Sequence, residues 1–327
     1  MNRLEDTRCL VTGGAGFIGS TVVDQLLHAG AAEVIVLDNF VRGSMSNLAS
    51  VRDRSTVKVV RGDICDVGLV DDLTAGIDFV FHKAALRITR CAEEPREAVD
   101  VLINGTLNVL ESAVRHKVKK VVAASSASVY GEPSYLPMDE NHPFNNQTMY
   151  GAGKIAGEQM LRAYHTMYGL PYVALRYFNV YGPRMDIAGV YTEVLIRWLD
   201  AIEANQAPLI FGDGTQSMDF VFVGDVARAN VLAAASDVTD EVFNVGTGKQ
   251  TSLNELCAAL LDLTGSSLQP EYREARTVAN VQRRRAAVEK AARLLDFRAK
   301  VSLTEGLRKL IRWRESVKAV SSVVETP

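Results

Sequence analysis

Three residues that can take part in proton transfer, Ser126, Tyr150 and Lys154, lie in one stretch of the chain, residues 126–154. Tyr150 and Lys154 are four residues apart in MYGAGKIAGEQM, so a helix there would place both side chains on one face. A tyrosine with a pKa of about 10 is a poor base at neutral pH, and a nearby ammonium group would lower that pKa. The same spacing occurs on many ordinary helices, so the pair predicts chemistry only together with its surroundings.

A glycine-rich loop stands between the first apolar run and the first amphipathic segment. VTGGAGFIGS contains Gly13, Gly16 and Gly19, and such glycines let the backbone turn tightly and approach a pyrophosphate at a helix N-terminus. A structural turn would also use glycine. Asp38, in VIVLDNF, adds a carboxylate that accepts from ribose hydroxyls and repels a 2′-phosphate. The sequence therefore favours NAD over NADP, although Arg42 lies just beyond.

Two more strand ends supply polar residues to the same predicted edge. Asp63, in RGDI, either contacts the adenine half of a dinucleotide or forms a strand-end turn. Ser126, in ASSASVYG, would orient a substrate hydroxyl in that cleft. Tyr150 would remove a proton from a secondary alcohol while its hydride leaves to NAD. Lys154 would favour the phenolate and hold the nicotinamide ribose.

The elements that must position these residues alternate along the first half of the chain. The predicted strands are RCLVTGG, AEVIVLDNF, TVKVVRGDI, DFVFHKAA and VKKVVAASSASVYG, with helical patterns such as INGTLNVLESAVRH between them. Their nearly continuous apolar character is typical of strands covered on both faces. The order predicts an α/β fold, a Rossmann-like doubly wound parallel sheet. We expect this domain over 1–180 and a smaller, partly interwoven α/β substrate lobe over 181–320.

The composition restricts the partners of such a site. The chain has 327 residues and a net charge of −3, which gives no general attraction for nucleic acid or an anionic membrane. No apolar run approaches a membrane span, and MNRLEDTRCLVTGG enters a strand without a signal-peptide pattern. None of the four cysteines forms a CxxC pair, so we expect reduced thiols and a cytoplasmic protein without a metal site. A flexible tail is expected over 321–327.

The motifs in this order resemble the extended short-chain dehydrogenase/reductase superfamily. The resemblance rests on the glycine loop, Asp38, FHKAA, INGT, SSASVYG and Tyr-x-x-x-Lys. The later segments LRYFNVYGPR, PLIFGDGTQSMDFVFVGDVARA and FNVGTG resemble its nucleotide-sugar epimerase and dehydratase branch. Together they cover roughly residues 7 to 314. The resemblance implies a tightly held NAD, a nucleotide-sugar substrate and, commonly, a homodimer.

The expected contacts follow from this resemblance together with the motifs. The expected cofactor-binding residues are Gly13, Gly16, Phe17, Ile18, Asp38, Asn39, Asp63, Ile64, Ala84, Lys154 and Tyr177. The expected substrate-binding residues are Arg87, Ser128, Asn179, Arg283 and Arg284.

A few positions separate the reactions of this branch. Dehydratases carry an Asp-Glu pair directly after the residue corresponding to Ser126, where this chain has Ala127 and Ser128. Neither moves a proton at neutral pH. Uronate 4-epimerases would carry Thr at Asn179 and Arg near Asp186. The chain looks more like a 4-epimerase of neutral hexoses or N-acetylhexosamines, which oxidises C4 with NAD and returns the hydride to the other face of the 4-keto sugar.

Two departures leave the sugar undetermined. Met218 stands where the family usually has an arginine that contacts the diphosphate, and Ala287 replaces its aspartate. Among Arg283–Arg285, one guanidinium would take over phosphate binding, or the run is the solvated start of a helix. Arg284 falls near the position that gates access for N-acetyl sugars. Arg87, in AALRIT, contacts the sugar or lies on the surface.

The leading hypothesis is an NAD-dependent 4-epimerase of a UDP-linked sugar. A uronate 4-epimerase, a decarboxylase, a dehydratase and a 4-ketoreductase remain as enzymatic alternatives. A non-catalytic NAD-sensing protein on the same fold would tend to lose the Tyr/Lys pair, whereas both residues are present here.

Overall fold

A computed structural model of the protein describes residues 3–187, 194–275 and 281–324. The strands are β1 (Arg8–Thr12), β2 (Glu33–Asp38), β3 (Val57–Arg61), β4 (Phe79–His82), β5 (Lys120–Ser126), β6 (Tyr172–Tyr177), β7 (Asn179–Tyr181), β8 (Leu209–Phe211), β9 (Ser217–Met218), β10 (Phe220–Phe222), β11 (Glu241–Val245), β12 (Thr251–Ser252) and β13 (Glu271–Arg273). The α-helices are α1 (Phe17–His28), α2 (Val67–Thr74), α3 (Ile88–Glu93), α4 (Pro95–Val99), α5 (Gly105–Arg115), α6 (Met149–Tyr168), α7 (Val194–Glu203), α8 (Val223–Ala235), α9 (Leu253–Thr264), α10 (Glu289–Leu295) and α11 (Leu303–Val324).

Seven parallel strands form the main sheet, in the order β11-β6-β5-β4-β1-β2-β3. The prediction of a Rossmann-like doubly wound sheet is confirmed. The order reverses between β1 and β4, and ligands of such sheets bind at the carboxyl ends of the strands beside that switch. In register, Thr12 pairs with His82 and Ser126 pairs with Tyr177, so the predicted site residues share one edge.

The sheet is buried on both faces, which explains the nearly continuous apolar strands. Side chains such as Val11, Val36 and Phe243 pack with α1 and α8 on one face. Leu10 and Val121 pack with α2, α5 and α6 on the other. All six residues of β6 are buried. Burial on this scale anchors the loops that follow each strand.

Strand β5 ends earlier than the sequence predicted. SSASVYG was expected to continue the strand, but the strand stops at Ser126 and a short 3₁₀ helix, Ala127–Val129, follows. The Ser126 hydroxyl caps that turn by accepting a hydrogen bond from the Ser128 amide at 3.1 Å. A serine hydroxyl competes with the sheet for backbone donors in this way.

The second half of the chain builds a smaller lobe and also returns to the sheet. Strand pairs β7–β10, β9–β12 and β8–β13 stand outside the main sheet, and α7, α9 and α11 share a core with Tyr181 and Trp198. Strand β11 and helix α8 rejoin the large domain. The division near residue 180 stays a prediction.

Helix α11 reaches Val324, inside the segment predicted as a flexible tail, and residues 325–327 lie outside the described part of the chain. No helix within the described ranges is long and apolar enough to cross a bilayer.

Candidate active site

The glycine loop packs directly against the end of β4. Gly13 has φ +66°, and a Cβ there would lie 2.7 Å from the Ala84 amide nitrogen. A Cβ at Gly19 would overlap the Gly13 carbonyl oxygen. Gly16 is the N-cap of the twelve-residue helix α1 and brings no side chain that could cap the free amides. The loop therefore leaves a side-chain-free cradle at a helix N-terminus, which suits a pyrophosphate.

Asp38 ties this loop to the end of β2. Its Oδ2 accepts from the Ala15 amide at 2.9 Å, and its Oδ1 accepts from the Phe40 amide at 2.8 Å. Burial raises the pKa of Asp38, although the backbone hydrogen bonds oppose that rise. Backbone hydrogen bonds from Phe40, Ala15 and Gly16 do not use every lone pair of the carboxylate, so a ribose hydroxyl can still donate to it.

The neighbouring strand end adds a second carboxylate. Asn39 Nδ2 donates to Asp63 Oδ2 at 2.8 Å. Burial acts to raise the pKa of Asp63, but hydrogen bonds from the Cys65 amide and Asn39 outweigh it and leave that pKa below its usual value. Asp38, Asn39 and Asp63 thus gather at the ends of β2 and β3, and Ile64 is buried beside them.

The cradle and these carboxylates fit the phosphate and adenosine parts of NAD. Arg42, which weakened the preference for NAD over NADP, is directed elsewhere: its Nη2 lies 3.2 Å from Asp186 Oδ2. Arg87 Nη1 lies 3.8 Å from the same oxygen, so two arginines share one carboxylate.

Ser126, Tyr150 and Lys154 meet at the carboxyl edge of the sheet. Thr148 caps α6 by accepting from the Gly151 amide at 3.0 Å, which fixes where the helix begins. One turn on, Lys154 Nζ donates to the Ala124 carbonyl at 2.8 Å and lies 5.7 Å from the centre of the Tyr150 ring. The helix therefore delivers both side chains to the end of β5.

The electrostatics of this trio are set by burial. Burial raises the pKa of Tyr150 to about 12, against the lowering effect of a hydrogen bond with Ser126. Burial also lowers the pKa of Lys154 to about 8. In the protein alone Tyr150 is therefore a neutral phenol at pH 7, and Lys154 is largely an ammonium. The predicted lowering of the tyrosine pKa requires the positive nicotinamide of bound NAD and stays a prediction for the holoenzyme.

Lys83 directly follows β4 at the same edge and was not among the predicted site residues. Its Nζ donates to the Val122 carbonyl at 2.9 Å and to the Tyr177 hydroxyl at 3.3 Å. The Tyr177 hydroxyl in turn donates to Asn230 Oδ1 at 3.0 Å. Burial and the charge of Lys154 lower the pKa of Lys83 well below its usual value. In the sequence, Lys83 directly follows the apolar run DFVFH and lies within FHKAA, one of the motifs of the family resemblance.

A buried ion pair behind helix α6 was not predicted from the sequence. Arg176 donates from Nε to Glu158 Oε1 at 2.8 Å and from Nη2 to Oε2 at 2.7 Å. The Ser125 hydroxyl donates to the same carboxylate. The network joins α6, β5 and β6 behind the site. In the sequence, the charged Arg176 inside the otherwise apolar strand YVALRY could have indicated a buried ion pair.

Three polar atoms on the expected substrate side are buried without a hydrogen-bond partner among the described residues: Thr89 Oγ1, Asn179 Oδ1 and Arg284 Nε. Such atoms are rare in folded proteins because each loses its contact with water. Burial lowers the pKa of Arg284, whose backbone amide donates to the Ser217 carbonyl at 2.9 Å. That hydrogen bond places Arg284 beside β9, the strand that carries Met218. Arg283 is exposed.

The remaining predicted contacts lie along the same rim. Phe17 and Ile18 begin α1 and pack partly into the core of the smaller lobe. Ser128 Oγ accepts from Ser126 Oγ at 3.1 Å. The roles of the individual site residues stay predictions.

Comparisons with known proteins identify the family of the chain. The NAD dependent epimerase/dehydratase family matches residues 9–246. A putative UDP-glucose 4-epimerase of Methanocaldococcus jannaschii is 39% identical, over 94% of this chain and 98% of that protein. A UDP-glucose 4-epimerase of Mycolicibacterium smegmatis is 38% identical, over 94% and 98%. The solved UDP-N-acetylglucosamine 4-epimerase of Methanobrevibacter ruminantium M1, in complex with UDP-N-acetylmuramic acid, superposes with a TM-score of 0.91 at 34% identity, over 96% and 99%.

Proposed function

The chain belongs to the NAD-dependent epimerase/dehydratase family, and we propose that it inverts C4 of a UDP-linked hexose or N-acetylhexosamine, with NAD as its cofactor. One observation carries the assignment within the family. Ser126, Tyr150 and Lys154 meet at the end of β5, while the two positions directly after Ser126 carry neither an acid nor a base.

The residues divide the chemistry as follows. Bound NAD supplies the hydride acceptor and returns the hydride. Tyr150 takes the proton of the sugar 4-hydroxyl and gives it back, and Ser126 orients that hydroxyl through a hydrogen bond. Lys154, held by the Ala124 carbonyl, favours the phenolate through its positive charge.

Elimination of water would require a further acid and base next to Ser126. Ala127 is buried, and Ser128 is bonded to Ser126 through both its amide and its hydroxyl oxygen. A serine hydroxyl does not titrate near neutral pH. The reaction that these residues support is therefore reversible oxidation at C4.

A neutral sugar fits the arginines better than a uronate does. Asp186 already engages Arg42 and Arg87, at 3.2 and 3.8 Å. A uronate carboxylate would have to displace Asp186 from one of these arginines, and the two carboxylates would repel each other. The ion pairs of Asp186 therefore favour a hexose or N-acetylhexosamine over a uronic acid.

We assign the diphosphate and sugar contacts to Asn179 and Arg284. Their unpartnered buried atoms, Asn179 Oδ1 and Arg284 Nε, would gain partners when a nucleotide sugar binds. Arg284 would supply the charge that Met218 lacks, because its backbone bonds to the same strand. Arg283, Arg87 and Ser128 are proposed as further contacts. The UDP group is inferred from the named relatives.

A homodimer in the cytoplasm is part of the same proposal. Helix α6 exposes Met149 at its start and Met167 and Tyr168 at its end, at 40, 65 and 54%, and a second copy that packs along this helix would cover these apolar side chains. All four cysteines are free thiols, in keeping with a reducing compartment. Light scattering of the purified protein tests the dimer, and a monomer at micromolar concentration would contradict it.

The activity is tested by incubating the purified protein with UDP-glucose, UDP-galactose and their N-acetyl and uronic acid counterparts, without added cofactor. NMR of the products should show inversion at C4 of at least one neutral or N-acetylated sugar. Recovery of only dehydrated or decarboxylated products would overturn the proposal.

A further inference from the structure

Lys83 is a buried amine at the cofactor edge that the catalytic assignment leaves unused. We propose that Lys83 is a cofactor-facing residue that makes bound NAD easier to reduce, by disfavouring the positively charged oxidised nicotinamide relative to the neutral reduced one. The proposal concerns the cofactor alone and does not depend on which sugar is bound.

The backbone of Lys83 is fixed beside the glycine loop. Its amide donates to the Thr12 carbonyl at 3.0 Å, and a Cβ at Gly13 would lie 2.9 Å from the Lys83 carbonyl carbon. The side chain then passes beside β5, where it donates to the carbonyl of Val122, the third residue of that strand, and reaches the Tyr177 hydroxyl at the end of β6. The residue as a whole is half-buried.

The position of the two halves of the dinucleotide follows from the sheet. The glycine loop after β1 holds the pyrophosphate, and Asp38 and Asp63 mark the adenosine side at β2 and β3. The nicotinamide half must therefore extend the other way, across the ends of β4, β5 and β6. Those are the strands that Lys83 spans, and Tyr150 and Lys154 approach the same ends from α6.

Lys83 favours reduction of bound NAD whether its amine is charged or neutral beside the oxidised ring. If the amine is protonated throughout, it repels the oxidised nicotinamide and not the reduced one. If it is neutral beside the oxidised ring, the loss of the ring's charge on reduction favours protonation of the amine, and this uptake also favours reduction. The titratable groups facing Lys83 are Lys154, which repels it, Tyr177, which accepts its hydrogen bond, and His82, whose pKa is lowered to about 3 mainly by burial.

The test is the reduction potential of the enzyme-bound cofactor, without sugar, in the wild type and in Lys83→Met and Lys83→Gln. Reduction is followed by absorbance of the reduced nicotinamide against a mediator dye of known potential. Lys120→Met is the matched control, because Lys120 is also a buried lysine bonded to backbone carbonyls but lies at the amino end of β5.

In both Lys83 variants we expect the equilibrium constant for reduction of the bound NAD to fall by at least tenfold. This corresponds to a reduction potential lower by about 30 mV for a two-electron couple. Lys120→Met should match the wild type. Equal potentials in the wild type and the Lys83 variants, or a lower potential in the wild type, would overturn the proposal.

A variant that loses its cofactor still gives an answer. By linkage, the difference between the reduction potentials of bound and free NAD is set by the ratio of the Kd values for the oxidised and reduced cofactor, and these Kd values can be measured separately. Loss of the lysine should weaken binding of the reduced form by at least tenfold more than binding of the oxidised form. An equal weakening of both would show that Lys83 only supports the fold of the site. Because no sugar is present, failure here leaves the epimerase assignment intact, and failure of that assignment leaves this result intact.

Discussion

Arg176 and Glu158 form a bidentate ion pair behind the active site, with nitrogen–oxygen distances of 2.7 and 2.8 Å and only 4 and 3% of their side chains exposed. Glu158 lies one turn after Lys154 on α6, and Arg176 directly precedes Tyr177 on β6. The pair therefore connects the helix that carries the proposed base to the strand that carries a proposed cofactor contact. Its integrity should matter for stability as well as for the geometry of the site.

Glu158→Ala should lower the free energy of unfolding by about 3–5 kcal/mol, because it leaves a buried guanidinium without its counter-ion. Urea denaturation followed by circular dichroism measures the change. The control is Glu305→Ala, which breaks the exposed pair of Glu305 and Lys309 on α11 and should cost less than about 1 kcal/mol. Equal effects of the two substitutions would contradict the structural role of the buried pair.

Tyr150→Phe should reduce kcat by about 10²–10⁴, since the variant loses the group that carries the proton of the sugar hydroxyl. Bound NAD should remain, which absorbance after denaturation would show. Tyr135→Phe, at an exposed tyrosine, should leave kcat unchanged. A near-normal rate in Tyr150→Phe would rule out this tyrosine as the base.

Arg284→Lys should raise KM for the nucleotide sugar by about tenfold to a hundredfold, because a lysine cannot reproduce the guanidinium contacts to a diphosphate. The cofactor content should not change. Arg312→Lys, at an exposed arginine of α11, is the control and should have no effect on KM. An unaltered KM in Arg284→Lys would place this arginine outside the substrate site.

The lowered pKa of Lys120 predicts that the free energy of unfolding depends on pH. In the folded protein the pKa of Lys120 is lowered to about 8, mainly by burial. In the unfolded chain Lys120 has the ordinary lysine pKa of about 10.4. Between these two pKa values the unfolded state binds more protons, so the contribution of Lys120 to stability rises with pH. From pH 8 towards 10.4 the wild type should gain stability relative to Lys120→Met, in urea unfolding at each pH. A constant or shrinking difference would contradict the lowered pKa.

The sequence predicted those parts of the molecule that local patterns encode. The apolar runs predicted the parallel sheet because strands buried on both faces must be apolar throughout. The glycine loop and Asp38 likewise lie within a few residues of a strand end, and the Tyr150–Lys154 spacing places two side chains on one face of a helix.

The remaining parts depend on contacts between distant segments. Lys83 meets the Tyr177 hydroxyl 94 residues away, and no periodicity of the intervening chain encodes that meeting. Asn179 and Arg284 were predicted as substrate contacts from the family resemblance, but their unpartnered atoms become visible only when the surrounding chain buries them. Strand β5 ends early because the Ser126 hydroxyl accepts a hydrogen bond from the Ser128 amide. This local hydrogen bond outweighs the strand propensity of the residues that follow.

The central claim is that a hydride leaves C4 and returns to the same carbon through NAD that stays bound. The most direct test uses a nucleotide sugar deuterated at C4, converted in ordinary water without added cofactor and analysed by NMR. The account predicts a C4-inverted product that retains its deuterium. A C4-inverted product that carries protium at C4 would show that the hydrogen is exchanged with solvent and would contradict it.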